Sequence, residues 1–166
     1  MSVNNLVLIT GGDGFTGRHL LKHLTNHNFN CYSLKSDILD KESLCSEISD
    51  IRPDFVIHLA AISFTAEKNS KLIYDTNVIG TENLLEAISR SSHVCKKLVI
   101  ASSAAIYGNQ NKESFNENII PMPVSHYGIS KLAMEHMCRN YNEELSITIT
   151  RPFNYTGLGQ DINFLV

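Results

Sequence analysis

Tyr127 and Lys131 stand four residues apart in Tyr127-Gly128-Ile129-Ser130-Lys131, a spacing that puts both on one face of a helix. A tyrosine with its ordinary pKa of about 10 is a poor acid or base at neutral pH. A lysine ammonium within about 5 Å favours the phenolate and lowers that pKa. The pair therefore reads as a general acid/base with its own tuning charge. Ser103 follows the apolar run Leu98-Val99-Ile100-Ala101. That is the carboxyl end of a strand, where open α/β sheets bind ligands. Its hydroxyl is placed to hold a substrate carbonyl or hydroxyl against Tyr127. Taken alone, a tyrosine and lysine at this spacing are weak evidence, because such helix-face pairs are common.

A second set of residues is suited to phosphate. Thr10-Gly11-Gly12-Asp13-Gly14-Phe15-Thr16-Gly17 follows the apolar run Leu6-Val7-Leu8-Ile9 and opens an amphipathic stretch, Phe15–Asn26. Strand, glycine turn and helix together form the context of a dinucleotide fingerprint. Gly11 takes the tight turn, Gly14 lets backbone approach a pyrophosphate, and Gly17 lets the helix pack on the strand. The pyrophosphate then meets the free N–H groups and positive end of the helix. Glycines here recur every third residue. The residue closing the second strand, 30–34, meets the adenosine ribose in such folds. No acid stands there before Asp37, and Lys35 favours a 2′-phosphate, hence NADP, with NAD as the alternative. Asp13 opposes that preference.

These residues need a scaffold, and the apolar pattern supplies one. Strands are expected at Leu6–Thr10, 30–34, Phe55–His58, 98–101 and 146–150, and helices at Phe15–Asn26, 41–49, 69–90 and 125–142. Leu20, Leu21 and Leu24 should face inward on the first helix. Asp40 is placed to cap the second, and Pro53 stops it. This alternation predicts an α/β fold: a Rossmann-type, doubly wound parallel sheet with helices on both faces, in one domain, 1–166. A hydrophobic fraction of 43% and a charged fraction of 19% are ordinary for a globular protein. A net charge of −3 gives no electrostatic case for nucleic acid or an anionic membrane. No run is long enough to span a bilayer, and Met1 to Asn5 has no basic n-region, so the cytosol is the default compartment. Cys31, Cys45, Cys95 and Cys138 lie far apart and read as reduced thiols. His58 reads as a packed polar residue and His126 as a loop histidine. His19, His23 and His27 share a helix face that suits a metal, but no carboxylate or cysteine completes a set, so no metal is expected.

In combination the motifs resemble one family. Thr10-Gly11-x-x-Gly14-Phe15-x-Gly17, His58-Leu59-Ala60-Ala61, Asn77-Val78-x-Gly80-Thr81, Ser102-Ser103-Ala104-Ala105-Ile106-Tyr107-Gly108, Tyr127-x-x-x-Lys131 and Arg151-Pro152-Phe153-Asn154 occur in the order seen in extended short-chain dehydrogenases/reductases. The likeness is nearest to nucleotide-sugar epimerases, dehydratases and 4-keto reductases. It implies that Ser103, Tyr127 and Lys131 are catalytic, with Tyr127 and Lys131 also contacting the cofactor, Lys131 on the nicotinamide ribose. It implies that Gly11, Gly14, Phe15 and Thr16 hold the pyrophosphate and that Asp37 and Ile38 contact adenine. Ala60 and Ala61 would line the cofactor channel, Asn77 would lie on the cofactor side and Phe153 near the nicotinamide. Asn154 would reach the phosphates of a nucleotide-sugar substrate.

Two departures refine the expectation. Dehydratases of this family carry an Asp-Glu pair after the catalytic hydroxyl residue, and here Ala104 and Ala105 stand there. That favours redox at a carbonyl: reduction of a 4-keto-6-deoxyhexose nucleotide, or else 4-epimerisation with retained NAD. The family also runs to roughly 300 residues or more. The chain is thus expected to be the amino-terminal portion of a longer enzyme that lacks the substrate-gripping part, and by itself to bind cofactor without turnover. The resemblance further implies a homodimer formed by a bundle of the helices at 69–90 and 125–142.

Overall fold

The computed structural model describes residues 5–63 and 69–160. Five strands form: β1 Leu6–Thr10, β2 Asn30–Ser33, β3 Phe55–His58, β4 Lys97–Ala101 and β5 Ile147–Thr150. They form one parallel sheet in the order β2-β1-β3-β4-β5. Leu6 lies opposite Asn30 on one side of β1, and Val7 opposite Phe55 on the other. The chain leaves β1 for one neighbour and later returns for the other. The carboxyl ends of β1 and β3 therefore flank a topological switch point, where doubly wound sheets bind ligands.

Helices α1 Phe15–Asn26 and α2 Lys41–Ile51 connect the first three strands. The Asp40 carboxylate accepts the Ser43 N–H at 3.2 Å and caps α2, which ends on left-handed Arg52 before Pro53. Residues 69–90 do not form one uniform α-helix. They divide into α3 Ser70–Tyr74, a π-helical segment Asp75–Gly80, and α4 Thr81–Ser89. Two local features coincide with the wider turn. The Thr81 hydroxyl donates back to the Asn77 carbonyl at 2.8 Å. Gly80 leaves room for Ile38, whose Cδ1 would lie 2.6 Å from a Cβ placed there. Helix α5 spans His126–Cys138, with Ser125 accepting the Gly128 N–H at 3.1 Å, and closes in a 3₁₀ turn Arg139–Tyr141.

The main core lies on one face of the sheet. Leu8, Val56, Leu98 and Ile100 pack there against Leu44 and Ile48 of α2, Leu84, Leu85 and Ile88 of α4, and Met134 and Cys138 of α5. Helix α1 packs on β1 and β2 over the opposite face. Beyond it Phe55, Ile57 and Val99 are half-buried and Thr148 and Thr150 exposed. Only β1, with Val7, Leu8 and Ile9 all buried, is enclosed on both faces. For the same reason Leu20, Leu21 and Leu24 are half-buried and not sealed inside.

Candidate active site

The glycine loop lies at the carboxyl end of β1. Gly11 has φ +68°, and a Cβ there would stand 2.7 Å from the Ala60 nitrogen, so only glycine lets the loop rest on the backbone that follows β3. Gly14 closes the turn, its N–H donating to the Gly11 carbonyl at 3.1 Å. Gly17 is buried against Gly11 and Gly12, where a side chain would strike backbone. No acceptor within the described residues meets the N–H groups of Phe15, Thr16 and Gly17 at the start of α1. That donor set suits an anion. The Thr16 hydroxyl lies 2.5 Å from the Tyr155 hydroxyl, and Tyr155 stacks on Phe15.

Buried polar residues fix this loop to its neighbours. The Thr10 hydroxyl accepts the N–H groups of Leu59 and Ala60 at 3.2 and 3.1 Å and lies 2.6 Å from His58 Nδ1. His58 Nε2 lies 2.9 Å from the Thr81 hydroxyl, which spends its own proton on Asn77. The assignment that satisfies every group has Nε2 protonated, with Nδ1 accepting from Thr10. Asn77 is fully buried; its Nδ2 donates to the Ile62 carbonyl at 3.1 Å and to Ser130 Oγ at 3.0 Å, and its Oδ1 accepts the Ile62 N–H at 2.8 Å. It ties the segment after β3, including Ala60 and Ala61, to α5.

Burial, assisted by the Lys131 charge, lowers the His58 pKa from 6.5 to about 3. The folded imidazole stays neutral while the unfolded one takes up a proton, so stability is full above pH 6.5 and falls as pH drops toward 3. Urea titrations between pH 7 and 5 should show a loss approaching about 1.4 kcal/mol per pH unit below the unfolded pKa. His58→Asn should flatten that slope, and an unchanged slope would refute a neutral buried imidazole.

Ser103, Tyr127 and Lys131 converge at the end of β4. Ser103 opens a 3₁₀ turn, Ala104–Tyr107, its Oγ accepting the Ala105 N–H at 3.1 Å. The same hydroxyl hydrogen-bonds the Tyr127 phenol. Burial raises the Tyr127 pKa above its ordinary value, against the pull of Ser103, with Tyr155 adding to the rise. The lysine does not produce the lowering expected from spacing. Its Nζ donates to the Ala101 carbonyl at 2.8 Å, and burial takes its pKa down to about 8. Tyr127 is thus a protonated phenol at neutral pH, a donor before it is a base. The neighbouring Ser102 hydroxyl is buried with no partner among the described residues, a polar atom at the sheet's carboxyl edge that a ligand can satisfy.

Arg151 at the end of β5 grips Glu135 of α5 through two bonds, Nε to Oε1 at 3.0 Å and a terminal nitrogen to Oε2 at 2.7 Å. It also donates to the Tyr107 hydroxyl at 2.9 Å and the Glu117 carbonyl at 3.3 Å. Phe153 is exposed, stacks with Tyr107 and meets Phe115 at a tilt. Asn154 is exposed beyond it. The sequence reading missed Glu135 and Arg151 as a pair; the only signal was an acid on the helix carrying Tyr127 and an arginine ending a strand.

At the other end of the crevice, Ile38 is buried and its carbonyl accepts from Asn83 at 3.0 Å. Asp37 is exposed and accepts the Leu39 N–H at 2.9 Å. Lys35 is exposed, with Nζ 5.5 Å from the centre of the Tyr32 ring. Glu47 of α2 accepts the Lys35 and Ser36 N–H groups at 3.0 and 2.7 Å. Of the three histidines on or capping α1, His19 Nε2 lies 2.9 Å from the Leu158 carbonyl, while the His23 and His27 rings lie tilted with centres 4.3 Å apart. All four cysteines are free thiols. No helix among the described residues is long and apolar enough to cross a membrane.

Residues 7–165 match the family described as "NAD dependent epimerase/dehydratase family". The chain is 39% identical over 165 residues to the GDP-6-deoxy-D-talose 4-dehydrogenase of Aggregatibacter actinomycetemcomitans, covering 96% of this chain and 56% of that enzyme. Among solved structures, RMD from Pseudomonas aeruginosa complexed with NADPH superimposes with TM-score 0.86 at 30% identity, covering 97% of this chain and 56% of that one. The UDP-glucose 4-epimerase of Thermus thermophilus complexed with NAD gives the same score and identity, with 94% and 57% covered. The chain thus spans about half the length of the proteins it matches.

Proposed function

The chain belongs to the NAD dependent epimerase/dehydratase family, and from this premise we propose that it forms the cofactor and proton-transfer half of a nucleotide-sugar oxidoreductase. The reaction proposed is reduction of a 4-keto-6-deoxyhexose nucleotide with NAD(P)H. The observation that carries it is the Tyr127 phenol, kept protonated by burial and hydrogen-bonded to Ser103, beside Ala104 and Ala105. An elimination needs a further acid and base there; a ketone reduction needs one proton donor. The similarity to a GDP-6-deoxy-sugar 4-dehydrogenase supports the same chemistry in the opposite direction.

A bound nicotinamide dinucleotide supplies hydride chemistry. The free N–H groups of Phe15 and Thr16, with Gly11 and Gly14, would hold its pyrophosphate. Asp37 and Ile38 would meet adenine, Ala60 and Ala61 would border the channel, and Phe153 would lie by the nicotinamide. Asn77 acts through Ile62 and Ser130. Lys131, now on the Ala101 carbonyl, would also bind the ribose. Ser103 orients the substrate oxygen and Tyr127 gives it a proton. Asn154 would reach the substrate's phosphates.

The equal likeness to an NAD-bound epimerase favours a second reading, 4-epimerisation with retained NAD. Gel filtration of the whole protein separates the two. Released cofactor, with loss of reduced-nicotinamide absorbance when the keto sugar is added, supports the reductase; cofactor that stays bound through the column, with interconversion of 4-epimers, supports the epimerase. The chain of 166 residues is expected to bind cofactor without turnover; turnover of a nucleotide-sugar ketone by this chain would refute that expectation.

We also propose a homodimer formed by α3, α4 and α5. Leu72 on α3, Ile79 on the π-helical segment between α3 and α4, and Ile129 on α5 are exposed apolar residues, which suits a helix bundle. Light scattering should give twice the chain mass, and a monomeric mass would exclude the bundle.

A further inference from the structure

We infer that Glu47 is the acid that reads the 2′ position of the adenosine ribose, selecting NAD(H) over NADP(H). The inference rests on the cofactor reading above. Strand β2 ends beside the glycine loop. The Leu34 N–H donates to the Ile9 carbonyl at 2.9 Å, and a Cβ on Gly12 would meet Ser33 Cβ at 3.0 Å. Lys35 and Ser36 therefore follow at the carboxyl edge, where dinucleotide folds meet the ribose.

The strand end has no acid of its own, and the structure brings one from α2. Glu47 Oε1 accepts the Lys35 N–H at 3.0 Å, while Oε2 accepts the Ser36 N–H at 2.7 Å and the Ser36 hydroxyl. These three donors converge on one carboxylate, which the Tyr32 hydroxyl also hydrogen-bonds. They are the donors an incoming phosphate would use, and an anion already holds them. Burial pushes the Glu47 pKa up, but the Ser36 hydroxyl, the two N–H groups and the Tyr32 hydroxyl outweigh it, and the pKa lies below the ordinary value. The group is ionised at neutral pH.

A fixed negative charge repels a 2′-phosphate. It does not repel a 2′-hydroxyl, which carries no charge. Lys35, the residue that favoured NADP in the sequence, extends over Tyr32 on the rim of a groove of about 440 Å³ lined also by Ser36 and Glu47. Its ammonium is solvated and its backbone N–H is occupied. The Lys35 and Glu47 readings thus predict opposite preferences.

The test is calorimetric titration of the chain with NADH and with NADPH at fixed salt, for the wild type, Glu47→Gln and Lys35→Ala. The wild type should bind NADH about ten-fold more tightly. Glu47→Gln should recover most of that difference by tightening NADPH binding alone, and Lys35→Ala should leave the ratio unchanged. Tighter NADPH binding by the wild type overturns the inference, with no variant needed. So does an unchanged ratio in Glu47→Gln with helix content intact by circular dichroism. Binding of neither dinucleotide overturns the cofactor reading itself, whereas equal binding of both overturns only the role of Glu47.

Discussion

Tyr127→Phe in the whole protein is expected to lower turnover about 10³-fold, within the range for loss of a positioned general acid, and to leave cofactor affinity within about two-fold. The substitution removes one oxygen from a half-buried ring and keeps the ring's volume. What is lost is the proton donor and the hydrogen bond with Ser103. The N–H groups of the glycine loop, the Thr10–His58–Thr81 chain and the bond from Lys131 to Ala101 do not involve the phenol. Binding and chemistry should therefore separate cleanly. Cofactor affinity from calorimetry and turnover from reduced-nicotinamide absorbance check it. Full turnover in Tyr127→Phe would sink the proposed mechanism.

The second large effect concerns stability. Glu135 is 4% exposed and Arg151 anchors it by two bonds, with further bonds to Tyr107 and Glu117. Arg151→Met strands a buried carboxylate, and Glu135→Leu strands a guanidinium. Each single change should cost about 3–5 kcal/mol of unfolding free energy, because the charge left behind loses its compensation. The double variant should recover most of that loss, since no buried charge remains. Denaturant titrations of the four proteins form a double-mutant cycle. Additive losses would show that the two side chains do not act as a pair. Because Arg151 also holds residues 107 and 117, the single variants should loosen the chain around the 3₁₀ turn that carries Ser103.

Much of this arrangement is written locally. Apolar runs mark β1, β3 and β4, Asp40 announces its helix by capping, and the three glycines stand where backbone meets backbone. The wider π turn is harder to read. It depends on Thr81 bonding back to Asn77 and on Ile38, forty-odd residues earlier in the chain, filling the space over Gly80. Glu47 looks like an ordinary surface acid of α2 until β2 lies beside it. The helical spacing of Tyr127 and Lys131 was correct, yet it did not give the lysine's partner, because the Ala101 carbonyl comes from another element. Spacing fixes which residues share a face. Electrostatic roles also depend on burial and on partners that the fold delivers from a distance.

The central position of β1 has a consequence in time. Its partners on the two sides are β2 and β3, and Thr10 meets His58 across 48 residues of chain. Parallel pairing closes such long loops before contact repays the entropy, so it forms slowly. On a ribosome, residues 10–17 emerge well before His58, Ala60 and Thr81, which hold the loop in shape. The nascent protein has the residues proposed to hold phosphate early but lacks their geometry until the third strand and the helix after it have been made. On the proposed reading, ligand capture by this loop is a late event in biosynthesis, although its residues are among the first translated.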